Sequence, residues 1–204
     1  MSGPPSPARP VGRGPKVRTA VLAATLAELT ETGYAALTVD QVARRSGVHK
    51  TTIYRRWRDR EALVSDAVGD LAAATLNLPD TGDVDADLRS FARALVGYLN
   101  GATGRALLGV LTSDAARLPR VAEARREFLA ARLRLAIPRV AAAVVAGQLP
   151  PDVDAAELVK AAIAPLYLRI VLTGEPIDDR TADRAAQGAL AVARAGLLGT
   201  PPGR

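Results

Sequence analysis

Apolar residues recur three and four positions apart along most of this chain, and no stretch of useful length alternates as a strand does. The pattern predicts an all-α protein. A first helix over 16–32 carries Val21, Leu22, Ala24, Leu26 and Leu29 as a broad inward stripe, with Gly33 as its stop. Two short helices follow, over 38–46 and 50–57, and Asp59 is placed to cap a fourth that runs to about Leu76. Beyond the turn cluster Asn77–Gly82, helices are expected over 85–103, 104–115, 119–146, 154–173 and 179–198, with Gly147, Gly174 and Gly199 as stops. Asp154 with Glu157 reads as a capping box. Pro138 and Pro165 fall inside helical patterns and are expected to kink them.

The two short helices carry the sharpest local signals. Thr38 and Gln41 form a capping box, Val39, Val42 and Ala43 supply an apolar face, and Gly47 suits a left-handed C-terminal stop. In the second, Ile53 and Trp57 lie four apart on an inward face, while Thr51 and Arg55 lie outward, flanked by Thr52 and Tyr54. A short basic helix braced on a small apolar scaffold is what a helix-turn-helix presents to the DNA major groove.

The residues around this pair resemble the N-terminal DNA-binding domain of the TetR family of one-component transcriptional regulators. The resemblance runs through Thr32-Gly33-Tyr34, Leu37-Thr38, Val42-Ala43, Ser46-Gly47-Val48, Thr52-Ile53-Tyr54 and Arg60-Glu61-Ala62-Leu63. More weakly, Ala164-Pro165-Leu166-Tyr167-Leu168-Arg169 is similar to a motif of some regulatory domains in that family. His49 stands where Ser is common and Arg58 where Pro is common. The resemblance implies a three-helix DNA-binding domain over 16–63 and a helical ligand-binding and dimerisation domain over 64–204, preceded by a segment over 1–15 whose composition predicts a disordered N-terminal arm. It also implies that the last two helices pair with their copies in a homodimer, which suits paired half-sites about 34–36 Å apart.

Charge adds to this picture. Residues 1–60 carry 11 Lys and Arg against 4 Asp and Glu, whereas the remainder carries 16 against 17. Arginine-rich composition explains the preference for Arg over Lys, but not this asymmetry, which points to a polyanion bound at one end. The Pro- and Gly-rich segment 1–15 cannot bury a face. It reads either as a solvated tail, the reading composition favours, or as an arm whose Arg9 and Arg13, with Lys16 beyond it, follow a minor groove.

There is no cysteine, and the one histidine, His49, opens the second short helix. Thiolate chemistry, a disulfide and a Cys-based metal set are therefore excluded. Asp85/Asp87, Asp152/Asp154 and Asp178/Asp179 precede or open helices, where capping explains them better than acid–base work. The expectation is a cytoplasmic protein that is not an enzyme, with no cofactor, metal or membrane span.

For DNA, Thr51, Thr52 and Arg55 are the candidates for base edges, and His49 and Lys50 for bases or phosphates at the helix entrance. Tyr54, Arg56, Arg58 and Arg60 are candidates for phosphates, with Thr38 and Arg44 anchoring the first short helix. Two structural alternatives stay open: Tyr54 packing on the bracing helix, and Arg56 only covering it. In the regulatory part, the resemblance implies a pocket for a small hydrophobic effector, nearest to Tyr98, Phe128, Tyr167 and Arg169. Arg169 lies in a run of apolar residues and is expected to be buried, paired with a ligand carboxylate or with an acid across the dimer seam. That seam is expected from Leu158, Ala161, Ala162, Leu166 and Ile170 on one helix. The other helix supplies Ala185, Ala186, Ala189, Leu190, Ala193 and Leu197. The reading is a DNA-binding transcriptional regulator, a repressor released from its operator by an effector; a dimeric regulator with no ligand is the alternative.

Overall fold

A computed structural model describes residues 13–72 and 77–199. Segment 1–12 with Arg9, and the expected end of the fourth helix near Leu76, lie outside the described residues. The described residues are all-α: α1 (Arg13–Ala36), α2 (Val39–Ser46), α3 (Lys50–Arg56), α4 (Arg60–Ala72), α5 (Val84–Asn100), α6 (Ala102–Thr112), α7 (Pro119–Val145), α8 (Ala155–Tyr167) and α9 (Asp179–Arg194). A 3₁₀ turn, Asp114–Arg117, precedes α7, and a π-helical turn, Leu168–Thr173, extends α8. Among the described residues the one β feature is an isolated bridge between Val153 and Gly199, and no helix is long and apolar enough to cross a membrane.

Most boundaries follow from caps. The Thr38–Gln41 box opens α2, Asp154 accepts from the amides of Ala156 and Glu157 at the start of α8, and Asp178 forms a box with Thr181 at the start of α9. Gly33 breaks α1 with φ 75° and ψ 168°, but a further turn carries the element to Ala36. The last helix ends at Arg194, with Gly196 left-handed at φ 74°, so the expected stop at Gly199 lies too far along. Gly199 instead packs so closely on Asp152 that an added Cβ would stand 2.7 Å from its Oδ2. The α5–α6 break falls at Gly101, before the expected 103/104. Near Pro165 the helix does not stop; it loosens into the π-helical turn three residues later, ending at left-handed Gly174.

Two apolar cores organise the chain. The first joins Val21, Leu22 and Leu29 of α1 to Val42, Ile53, Trp57, Leu63, Val64 and Val68, and reaches Val110, Ala115 and Val121 around α6 and the start of α7. The second is built from α5, the C-terminal half of α7, α8 and α9. In it, Leu158, Ala162, Leu166, Ala186, Leu190 and Ala193 are all buried within one chain. Those buried seam residues let α9 approach α8 and α5. The outer groove between α8 and α9 is lined by Ala161, Ala185 and Ala189 of the seam together with Pro165, Arg169 and Val192. Of the remaining seam residues, Leu197 lies beyond the end of α9 and is exposed, and Ile170 is half-buried in the π-helical turn.

The acidic pairs divide their work. Asp83 caps α5, accepting from the amides of Asp85 and Ala86. Asp85 pairs with Arg194. Asp87 does not cap: it is 1% exposed and pairs with Arg139 of α7, itself 4% exposed. Arg139 Nε donates to Asp87 Oδ2 at 2.6 Å, and the amide and hydroxyl of Thr81 donate to the same carboxylate.

Candidate nucleic-acid interface

The reading pair is held from behind on three sides. Ile53 and Trp57 are 1% and 5% exposed, so α3 is pinned to the first core by its inner face. The Trp57 indole N–H donates to Asp66 Oδ2 at 2.9 Å, and Arg18 of α1 donates to Asp66 and Asp70 of α4 at 2.6 and 2.5 Å. Burial alone would raise the Asp66 carboxyl, but hydrogen bonds from Arg18 and Trp57 outweigh it and hold it below its usual value. Arg45 ties α2 to α1 through Glu28 and Glu31, at 2.7 and 2.5 Å. Those bonds hold the Glu31 carboxyl low.

The outer side of this scaffold is polar and open. Thr38, Arg44, His49, Lys50, Thr51, Tyr54, Arg55, Arg56 and Arg58 are exposed, and Thr52 is half-buried. Tyr54 is 53% exposed and does not pack on the bracing helix. Arg56 stands 5.4 Å over the ring of its neighbour Trp57. Lys50 lies 3.3 Å from Asp40, across a shallow groove between α2 and α3 bordered by Arg44 and His49. His49 precedes α3 without a side-chain cap, which leaves its imidazole on the surface.

Arg60 is placed differently from the other candidates. Its Nη1 donates to the carbonyls of Tyr34 and Leu37 at 3.1 and 3.0 Å, and its guanidinium lies 4.1 Å over the Tyr34 ring. It clamps the end of α1 instead of facing outward, reaching carbonyls at the C-terminal end of that helix and just beyond it. Arg60→Ala is therefore expected to lower unfolding stability by about 1.5–3 kcal/mol while leaving the salt dependence of DNA binding nearly unchanged. Denaturant melts beside a salt titration check it; a flattened salt slope at unchanged stability would return Arg60 to the phosphates.

In the second core, Tyr98, Phe128 and Tyr167 do converge, on a cavity between α5, α7 and α8. Arg169 does not join them. It is about one-third exposed, ion-paired with Glu175 of its own chain, and borders the outer α8–α9 groove. Its apolar neighbours in sequence misled, because the π-helical turn leaves Leu168 and Leu172 exposed as well. The cation at the cavity is Arg132, four residues after Phe128 on α7, with its guanidinium 5.3 Å over the Phe128 ring. The helical spacing of those two residues was the available signal.

Among the described residues no three His, Cys, Asp or Glu side chains gather as a metal site. Residues 21–67 match the family described as bacterial regulatory proteins, tetR family, and residues 78–189 match a tetracyclin repressor-like C-terminal domain. The regulator AqdR of Rhodococcus erythropolis is 39% identical over 124 residues, a match that spans 61% of this chain and 59% of that protein's length. A DNA-binding transcriptional repressor TetR of Mycobacteroides abscessus is 33% identical over 191 residues, 89% of this chain and 96% of that protein. The crystal structure of the TetR family regulator SCO0332 superposes with a TM-score of 0.62 at 37% identity, covering 86% of this chain and 97% of that one. With both halves matched in order, and with a braced basic helix where the family reads DNA, the chain belongs to the TetR family of DNA-binding transcriptional regulators.

Proposed function

We propose that this regulator is a repressor: a homodimer that occupies its operator through two copies of α3 and leaves it when a small molecule enters the cavity between α5, α7 and α8. The observation that carries the reading is the two-sidedness of α3, anchored inward by Ile53 and Trp57 while Thr51, Tyr54 and Arg55 stand in solvent. Thr51, Thr52 and Arg55 take base edges, with His49 and Lys50 at the entrance. Tyr54, Arg56, Arg58, Thr38 and Arg44 take phosphates, and Arg60 serves as a clamp. Residues 16–63 act as the reading unit and 64–204 as the regulatory unit, with α4 shared between them. The second copy docks on the outer α8–α9 groove, where Val192, Leu168 and Leu172 leave apolar surface exposed.

Release follows from packing. The cavity holds about 70 Å³ in this structure, whereas ligand sites usually need about 300 Å³ or more. A ligand must therefore spread the helices around it. One of these, α7, runs unbroken from the cavity residues Phe128–Ala136 to Arg120, a reach of about 12–24 Å. There the Arg120 amide donates to Glu61 and its carbonyl accepts from Ser65, both on α4. A ligand that binds the spread state more tightly shifts the dimer away from operator spacing by that difference in affinity and no more.

Genomic footprinting supplies the operator, and fluorescence anisotropy then tests the assignment. Arg55→Ala is expected to lose about 1–3 kcal/mol of discrimination per half-site while affinity for scrambled duplex stays nearly constant. Equal loss on every sequence would make Arg55 a phosphate contact.

A further inference from the structure

Two arginines share one carboxylate where α7 meets the reading unit. Asp59 stands between α3 and α4, and its two oxygens have different work. Oδ1 accepts from the Ala62 amide at 2.7 Å and so caps α4. Oδ2 lies 3.6 Å from Arg58 Nε and 3.6 Å from Arg120 Nη1. The Ala62 amide, with Arg120 and Arg58 beside it, holds this carboxyl below its ordinary value, so the group stays anionic. The two guanidiniums differ in freedom. Arg58 is next to Asp59 in sequence, and its side chain is 85% exposed. Arg120 comes from the first turn of α7 and is 50% exposed. Its backbone is fixed: the amide donates to Glu61 and the carbonyl accepts from Ser65, both on α4.

An anion beside the reading helix works against a polyanion twice. It repels the phosphates, and it draws back the cation meant for them. With Arg120 on the same oxygen, the Asp59 charge is offset from the α7 side and Arg58 is left to DNA. Exposed pairs of this length are weak, so a small displacement redistributes them. We infer that Arg120 is a positioning residue for DNA binding: it occupies Asp59 from α7 and thereby releases Arg58 to the phosphate backbone. The inference rests on the proposed phosphate role of Arg58 and adds the regulation of that contact. The same α7 walls the cavity with Phe128, Leu133 and Ala136. A helix displaced there carries Arg120 off Asp59, Arg58 folds back onto the carboxylate, and affinity falls for every sequence alike.

Fluorescence anisotropy on operator and scrambled duplexes, over a salt series, tests it in the full-length chain. The variants are Arg120→Gln, Arg120→Lys, Asp59→Asn, Arg58→Gln and the double variant Arg120→Gln/Asp59→Asn. Asparagine caps a helix as well as aspartate does, so Asp59→Asn removes the charge and keeps the start of α4. Arg120→Gln is expected to weaken both duplexes by about two- to fivefold and to flatten the salt slope, which looser packing alone would not do. Arg120→Lys should retain most of the affinity. Asp59→Asn should tighten both duplexes, and in its background Arg120→Gln should cost nothing further. An equal loss from Arg120→Gln in both backgrounds would make Arg120 a direct phosphate contact and overturn the positioning role, and so would no loss at all. Arg58→Gln checks the reading beneath. It should weaken both duplexes and lower the salt slope by about 0.9 for each phosphate lost. Unchanged affinity and slope there would take Arg58 off the phosphates and remove the basis of the inference, whatever the Arg120 variants do.

Discussion

Asp87→Ala is expected to destabilise the protein by about 3–5 kcal/mol, the cost of leaving a buried cation without its partner. Arg139 is 4% exposed, and its nearest other anion, Asp80, stands 3.4 Å away and is itself 68% exposed. Its Nη2 lies 2.6 Å from Asp87 without the alignment of a hydrogen bond. Removing the carboxylate also strands the amide and hydroxyl of Thr81, so the turn 77–83 loses the contact that fastens it to α5. Chemical unfolding followed by circular dichroism measures the loss. The double variant Asp87→Leu/Arg139→Met removes both charges and should recover most of it, because a matched apolar pair carries no desolvation cost. A single variant within about 0.5 kcal/mol of the parent would show that water reaches Arg139.

The same site fixes an acid limb of the stability curve. Burial would raise the Asp87 carboxyl, yet hydrogen bonds from Thr81 and Arg139 more than offset that and bring it below its ordinary value. Its folded pKa lies under the unfolded one of about 3.9. The contribution is therefore complete above about pH 4 and is lost as pH falls through the folded value. Asp66 and Asp85 shift in the same direction through Arg18 and Arg194. Stability should fall steeply on acidification below pH 4, and less steeply once Asp87 is gone.

The fold and the two short helices were legible because they rest on local rules. A Thr–Gln box, a left-handed glycine and an i, i+4 pair of large apolar residues are each set within ten residues of sequence, and each appears as read. What was not legible depends on partners far along the chain. Nothing near Asp87 announces Arg139, 52 residues away, and nothing near Arg18 announces Asp66, 48 residues on. The alanine seam of α9 shows the same limit: a small-residue face permits close approach but does not say whether the approaching helix is α8 or a second copy. Arg169 missed its expected place at the cavity for a related reason. A helix of standard pitch assigns faces reliably, and the π-helical turn after Tyr167 rotates every later residue away from that count.

Trp57→Ala is expected to have the largest effect on DNA reading of any change made behind the interface. The indole is 5% exposed in the first core, and its N–H is bonded to Asp66. Truncation to alanine in such a site costs about 3–5 kcal/mol. The loss falls on a helix of seven residues, which has no stability of its own without packing. Trp57 also closes α3, its amide donating to the Ile53 carbonyl at 2.8 Å. With the anchor gone, α3 should fray while the second core, which shares none of these residues, stays folded. Operator affinity should therefore fall towards the non-specific level at temperatures where far-ultraviolet dichroism remains strongly helical. Trp57→Phe separates packing from the hydrogen bond: it retains the ring and is expected to cost only about 1–2 kcal/mol, with sequence preference largely kept. Since Trp57 is the chain's one tryptophan, its fluorescence in the parent reports directly on this anchor. If Trp57→Ala still discriminates operator from scrambled duplex as the parent does, α3 is not held from this side, and the exposed face of Thr51, Tyr54 and Arg55 is not the surface that reads DNA.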